Sequence, residues 1–413
     1  MSNTSHLRAI INGRVVLPQR EPADANILIR DEQIVEIGSF EIPSDAEMVD
    51  ARGALVAPGI IDIGVFAVDP AACRAGGITR VAVMPDQSPP LDEPGLIQRA
   101  AASGKPDHLW VHPVAAATRG LKGEEVAEFA LMRSVGARAV ATGRGWIADS
   151  GVMRRVLSYA APLGLTTITH PEDSGMVGGA VATSGETATR LGLPCAPAIS
   201  EAMAIARDLA IAEVAGAPIH FRQVTTEAGF DLIRAAKARD VVRVTCGITP
   251  AHLFLSDIAI SDFRTFARLS PPLRDESDRQ AALAAVADGT IDMIGSGHDP
   301  RGPEDKRLPF ADAAPGMAGA ETLLALALGL VRDGLIDYAR LFALLAGNPA
   351  KLLGLDAGRI AVGAPADLIV IDPDAPWKID SDRMAARAGN TPFDGLPGQG
   401  RVLHMLKGGQ PLG

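Results

Sequence analysis

The sequence predicts an α/β chain in which a (β/α)8 barrel, a TIM barrel, carries a small β-sandwich domain formed by both chain termini. Eight short apolar runs recur between residues 55 and 297 with helical patterns between most of them, the alternation of a parallel barrel. The first 55 residues alternate apolar and polar positions around short turns, and the same texture returns near the other end. At 413 residues the chain has room for a barrel of about 250 residues plus a satellite.

In chain order, Asn12 and Gly13 lie between two apolar runs and predict a hairpin turn, and Asp31 with Glu32 marks another turn. The barrel strands are expected at 55 to 66, TRVAVMP near 80, HLWVHP near 110, GARAVA near 138, LTTITH ending at His170, PIHFRQV near 221, VVRVTCGIT near 245 and IDMIGSG near 294. Helical patterns span Glu124 to Val135, Ser200 to Ala215 and Asp275 to Ala287. GRIAVGAPADLIVID and RVLHMLKGGQPL read as strands that return to the first domain. The expected division is therefore 1–55 with 356–413 as the composite β domain and 56–355 as the barrel. Only about a dozen residues, Ala67 to Ile78, separate the first two barrel strands, near the lower bound for a parallel crossover. The crossover helix should be short or missing, which would expose part of the barrel wall.

Composition narrows the function classes. Thirty-nine basic residues stand against 49 acidic, a net charge of -10, and no Lys/Arg block could track a phosphate backbone. Nucleic acid and anionic membrane are excluded as expected partners. The start MSNTSHLRAIING lacks the basic and long apolar segments of a signal peptide, and no apolar stretch reaches about 18 residues, so the chain is expected in the cytoplasm. Cys73, Cys195 and Cys246 match no metal-ligand spacing and are read as reduced packing residues.

The chemistry-bearing runs are VAPGIIDIGVFAVDP near residue 60, MPDQSPPLDEP from Met84, THPEDSGMVGGAV from Thr169, SPPLRDESDR from Ser270 and DGTIDMIGSGHDPR from Asp288. Together with TRGLKGEEVAEF from Thr118, ITPAHLFLSD from Ile248 and NPAKLLGL, they give the chain a resemblance to the dihydroorotase family of the amidohydrolase superfamily along nearly its whole length. The family's first strand reads PGxIDxHxHxR, with two zinc-binding histidines and a substrate-gripping arginine. Carried over position by position, the resemblance implies that Gly64 and Phe66 replace those histidines and Val68 the arginine. GARAVATGRGW holds no Asp, Glu or Lys for the strand-four ligand, Gln223 stands where the strand-six histidine belongs, and Gly297 replaces the aspartate that is both ligand and general base. His170 alone survives of six ligand positions. The substrate contacts depart as well, with Asp86 and Ser270 in place of asparagines and Arg301 in place of a histidine.

The resemblance therefore implies that the family's zinc site is lost and that no cofactor is held. Without a metal, water keeps a pKa near 15.7 instead of about 7, forfeiting roughly 10 kcal/mol of nucleophile activation. The leading expectation is a pseudoenzyme, with no catalytic residue. It resembles the non-catalytic dihydroorotase-like subunits that pair with the aspartate carbamoyltransferase catalytic chain in pyrimidine biosynthesis, which implies a hetero-oligomer. Two alternatives stay open. One is an active cyclic-amide hydrolase with a site rebuilt around His170, His298, Asp299 and Arg301; the other is a small-molecule sensor using the barrel mouth. His298 and Asp299 are adjacent on a strand and should point to opposite faces. Arg144 and Arg301 are read either as an anion site or as plain rim salt bridges.

Overall fold

A computed structural model describes residues 6–104 and 109–412. The expected start of the third strand at His108, and residues 1–5 and 413 of the terminal domain, lie outside the described residues. The barrel strands are β1 (Ile60–Val65), β2 (Ile78–Val83), β3 (Trp110–Pro113), β4 (Val140–Ala141), β5 (Thr167–Thr169), β6 (Ile219–Phe221), β7 (Val244–Ile248) and β8 (Met293–Ile294). Neighbours pair in parallel from β1 to β3 and from β4 to β8, and Ala115–Ala116 continues the line of β3 to pair with β4. The ring closes where the Phe66 amide donates to the His298 carbonyl at 2.9 Å and the buried Asp62 carboxylate accepts the Ser296 amide at 2.9 Å and the Ser296 hydroxyl. A side-chain clasp is needed because β8 is too short to form a full ladder with β1.

The crossovers follow the periodicity. Ile199–Ala215 and Glu276–Ala287 form the expected helices, the second capped by Asp275, whose side chain accepts the Asp278 amide. The Glu124 to Val135 pattern forms only Phe129–Ser134. The first crossover holds the short helix Pro70–Ala75, started by the Asp69 side chain accepting the Ala72 amide.

Both termini build one hydrogen-bonded sheet of eight strands among the described residues. Its order runs Gln410–Pro411, Pro397–Lys407, Leu368–Lys378, Leu55–Pro58, Leu7–Val15, Ala23–Arg30, Gln33–Gly38, with Glu47–Asp50 beside Leu7–Val15. Ile10, Ile27, Ile29, Val56, Leu368 and Val370 form its buried core.

Two expectations are corrected here. Asn12 and Gly13 make no hairpin turn: strand Leu7–Val15 runs through them, and its register to Ala23–Arg30 shifts between Ile10 and Gly13. Asn12 takes up the irregularity at φ 55°, and Gly13 is required because a Cβ there would lie 2.5 Å from Val56 Cγ2. Tertiary contact with Leu55–Pro58 makes a bulge of them where the sequence predicts a hairpin turn. The barrel wall behind the short crossover is not exposed either: no residue from 60 to 84 is exposed, because the terminal sheet lies over it. A Cβ on Gly77 would meet Ile369 Cδ1 at 3.1 Å and Val402 Cγ2 at 3.2 Å, so strand and sheet are in direct contact. Among the thiols, Cys73 and Cys246 are buried as packing residues, whereas Cys195 is exposed. No helix among the described residues is long and apolar enough to cross a membrane.

Candidate functional site

The C-terminal ends of the barrel strands surround a cavity of about 170 Å³ lined by Phe66, Arg144, Arg222, Gln223, Thr249 and Asp299, among others. This is the face on which barrels of this type carry their reactive groups.

Two glycines at the barrel mouth have left-handed backbone. Gly64 sits at a register shift between Ile63 and Val65 with φ 90°, and Gly297 after β8 has φ 60°. An L side chain rarely adopts either conformation, at a cost of roughly 1–2 kcal/mol. A Cβ on Gly297 would also press on Met317 Cε and Thr249 Cγ2 at 3.0 Å. Two of the positions at which the resemblance places metal ligands thus hold glycine in a backbone that side chains rarely adopt.

Arg222, immediately after β6, packs beside Gly64. Its Cδ lies 3.5 Å from the place a Cβ on Gly64 would take, and its guanidinium lies 5.0 Å from the centroid of the Phe66 ring. It lines the cavity. Burial lowers its pKa to about 10, which leaves it charged at neutral pH. Beneath it a void of only about 20 Å³ remains, room for little more than a water.

His170 follows β5, with its amide bonded to Thr142 Oγ1 at 3.2 Å. Arg222 Nη2 approaches its Nδ1 at 3.0 Å and Glu172 Oε2 its Nε2 at 3.0 Å. A guanidinium can only donate, so Nδ1 accepts and Nε2 carries the proton to Glu172. Burial lowers the His170 pKa, in keeping with a neutral ring. Burial alone would raise the Glu172 carboxyl, but the hydrogen bond from His170 and the charge of Arg274, 3.5 Å away, hold it below the ordinary carboxylate value.

The rim is an ion-pair lattice. Arg144 Nη2 reaches Asp299 Oδ2 at 2.6 Å, Arg301 Nη2 reaches the same oxygen at 2.9 Å, and the Arg144 amide donates to Asp86 Oδ1 at 2.8 Å. The Arg144 guanidinium also lies 3.9 Å from the centroid of the Phe66 ring, a cation–π contact. Arg144 and Arg301 therefore spend their charge on Asp299, the salt-bridge reading of these two residues.

Of the four residues expected around a vestigial pocket, Asp299 lines the cavity, Arg301 braces it from the rim, and His170 lies behind Arg222. His298 points elsewhere: its Nδ1 accepts the Ala320 amide at 3.3 Å and its Nε2 lies 3.9 Å from Asp69, fully buried. His298 and Asp299 do face opposite ways. Gln223 Nε2 lies 3.1 Å from His252 Nδ1, and His252 Nε2 donates to the Pro271 carbonyl, so the Gln223 amide is used in packing the β6 and β7 loops. Sequence reasoning missed Arg222 and His252. The available signal for Arg222 was a lone charge in the apolar run of β6, between Phe221 and Val224, beside the two positions that had been compared.

A catalytic zinc needs about three protein donors with free lone pairs. Among the described residues no group of three or more His, Cys, Asp or Glu could hold a metal ion, and both nitrogens of the surviving histidine are engaged. The residues present do not fit the metal.

A model described as the amidohydrolase family matches residues 126–412. The dihydroorotase of Geobacter sp. (strain M21) is 38% identical over 416 residues, covering 97% of this chain and 98% of that protein. The dihydroorotase of Syntrophotalea carbinolica is 38% identical over 418 residues, covering 97% of both. Among solved structures, L-hydantoinase from Arthrobacter aurescens superposes with a TM-score of 0.87 at 23% identity, covering 98% of this chain and 95% of its own. D-hydantoinase from Thermus sp. gives 0.83 at 24%, covering 98% and 94%. At these identities the two structures speak for the fold alone.

Proposed function

The chain belongs to the amidohydrolase family and is dihydroorotase-like over its full length, and from that premise we propose that it is a non-catalytic member whose fold is kept for assembly. The observation that carries this reading is the occupation of both His170 nitrogens by Arg222 and Glu172, with Gly64, Phe66, Gln223 and Gly297 at the other ligand positions. A hydrolase of this kind must activate water with a metal and remove a proton with a general base. Asp299, the carboxylate in the cavity, is tied to two arginines and is poorly placed to serve as that base.

The partner follows from the resemblance: a cytoplasmic complex with the aspartate carbamoyltransferase catalytic chain in pyrimidine biosynthesis. The exposed wall that would have marked the interface is covered by the terminal sheet, so the docking face lies elsewhere on the surface. The test mixes the purified chain with the catalytic chain from the same cells and measures mass by light scattering alongside transcarbamoylase activity and dihydroorotate hydrolysis. A joint mass, altered transcarbamoylase activity and no hydrolysis are expected. Separate masses with unchanged activity would remove the assembly role and favour the sensor, for which the cavity of about 170 Å³ is the supporting observation. Hydrolysis above background would restore the enzyme reading.

A further inference from the structure

The pocket is more than a metal site short of ligands. Its centre holds a cation of its own. Arg222 donates to His170 Nδ1 at 3.0 Å, and His170 passes its other N–H to Glu172 at 3.0 Å. Metal-binding histidines commonly use one nitrogen for the ion and donate the other N–H to a carboxylate that orients the ring. Here the sequence cation, imidazole, carboxylate is complete with a guanidinium as the cation. Arg222 makes this contact at some expense to itself, since its buried Nε has no partner and no carboxylate pairs with it directly among the described residues. The absence of a side chain at Gly64 leaves room beside it: its Cγ and Cδ lie 3.7 and 3.5 Å from the position of a Cβ on Gly64.

We propose that Arg222 is a resident cation that stands in the metal's place on His170 and bars a divalent ion from the pocket, so that restoring ligands would not restore metal binding while Arg222 remains. The proposal rests on the reading that the hydrolytic metal site is lost, and it adds the residue that keeps the site closed. A guanidinium is tethered, cannot be lost by dilution or chelation, and stays charged across the physiological range. A free ion would have to displace it from the Nδ1 lone pair of His170, while two like charges faced each other at close range.

The first test needs no substitution. Nitrogen NMR of the full chain at neutral pH should show His170 protonated on Nε2, with Nδ1 an acceptor. A proton on Nδ1 would mean Arg222 does not donate there and would overturn the proposal. The second compares metal uptake. Phe66→His with Gln223→His places two imidazoles on side chains that line the cavity beside Arg222 and, with His170, supplies the three donors of a common metal site. After desalting from cobalt(II), this pair should retain at least about tenfold less metal than the same pair carrying Arg222→Ala, which should hold about one ion per chain with visible d–d absorption. Equal retention with and without Arg222 sinks the proposal. If the triple variant does not fold, Arg222→Ala alone decides the matter together with NMR: its melting temperature should fall and recover saturably with methylguanidinium, but not with methylammonium at equal ionic strength. Equal recovery by both, or by neither, counts against a specific cation seat. A wild-type chain that holds one metal tightly would overturn this proposal and the non-catalytic reading together, whereas failure of Arg222→Ala to open a metal-free pocket overturns this one alone.

Discussion

Arg144, from the loop after the fourth barrel strand, and Asp299, from the loop after the eighth, meet at 2.6 Å across the barrel mouth. Arg301 shares the same carboxylate oxygen, so Asp299 balances two cations while each arginine has only part of its neutralisation to lose.

Asp299→Ala should therefore destabilise the chain more than Arg144→Ala, by about 1–3 kcal/mol, because it strands two guanidiniums where the arginine change strands one carboxylate that Arg301 still holds. Urea unfolding of the two variants and the double variant checks this. An equal or reversed order would show that the rim lattice contributes little.

The purified chain is expected to carry no stoichiometric zinc, because one histidine with both nitrogens occupied cannot offset the dehydration of a dication. Elemental analysis after chelator-free purification is the measurement, and one tightly held zinc per chain would contradict it.

Gly297→Asp, which restores the family's aspartate by sequence, should cost about 1–3 kcal/mol of stability and produce no hydrolysis. The φ of 60° strains any L side chain, and its Cβ would press on Met317 and Thr249 at 3.0 Å. A variant as stable as the parent in thermal melts would mean that the main chain readjusts freely there.

His220 supplies a pH test. Buried and 2.9 Å from Thr245 Oγ1, it has its pKa lowered to about 3, first by burial and then by the charge of Arg222. The unfolded chain takes up a proton at this residue below about pH 6.5 while the folded chain does not until about 3, so stability is lost as pH falls through that window. His220→Gln removes the titration and can still bond Thr245. Relative to this variant the parent should lose about 2 kcal/mol between pH 7 and pH 5. Parallel stability curves for the two proteins would refute the assignment.

Much of the fold was legible because it depends on local patterns. Alternating apolar runs and helical periods place the barrel strands and the Ser200 and Asp275 helices, since burial of one face demands those spacings wherever the elements pack. The pattern at Glu124 to Val135 promised more helix than Phe129–Ser134 delivers. Asn12 and Gly13 became a bulge because Val56, 43 positions away, sets what their backbone must avoid.

The site divides the same way. The residues at Gly64, Phe66, Gln223 and Gly297 are facts of identity, so the sequence by itself determined that no histidine or carboxylate is offered at these four positions. What surrounds those positions was decided by tertiary structure, because the contacts join residues from separate strands. Arg222 reaches His170 from the neighbouring strand, and Arg144 reaches Asp299 from across the mouth. The direction of a long side chain depends on the space around it. Arg222 packs beside Gly64, whose left-handed backbone no reading of local pattern assigns. The burial of the wall behind the short first crossover was settled likewise by distance in sequence, since the strands that cover it come from the far end of the chain.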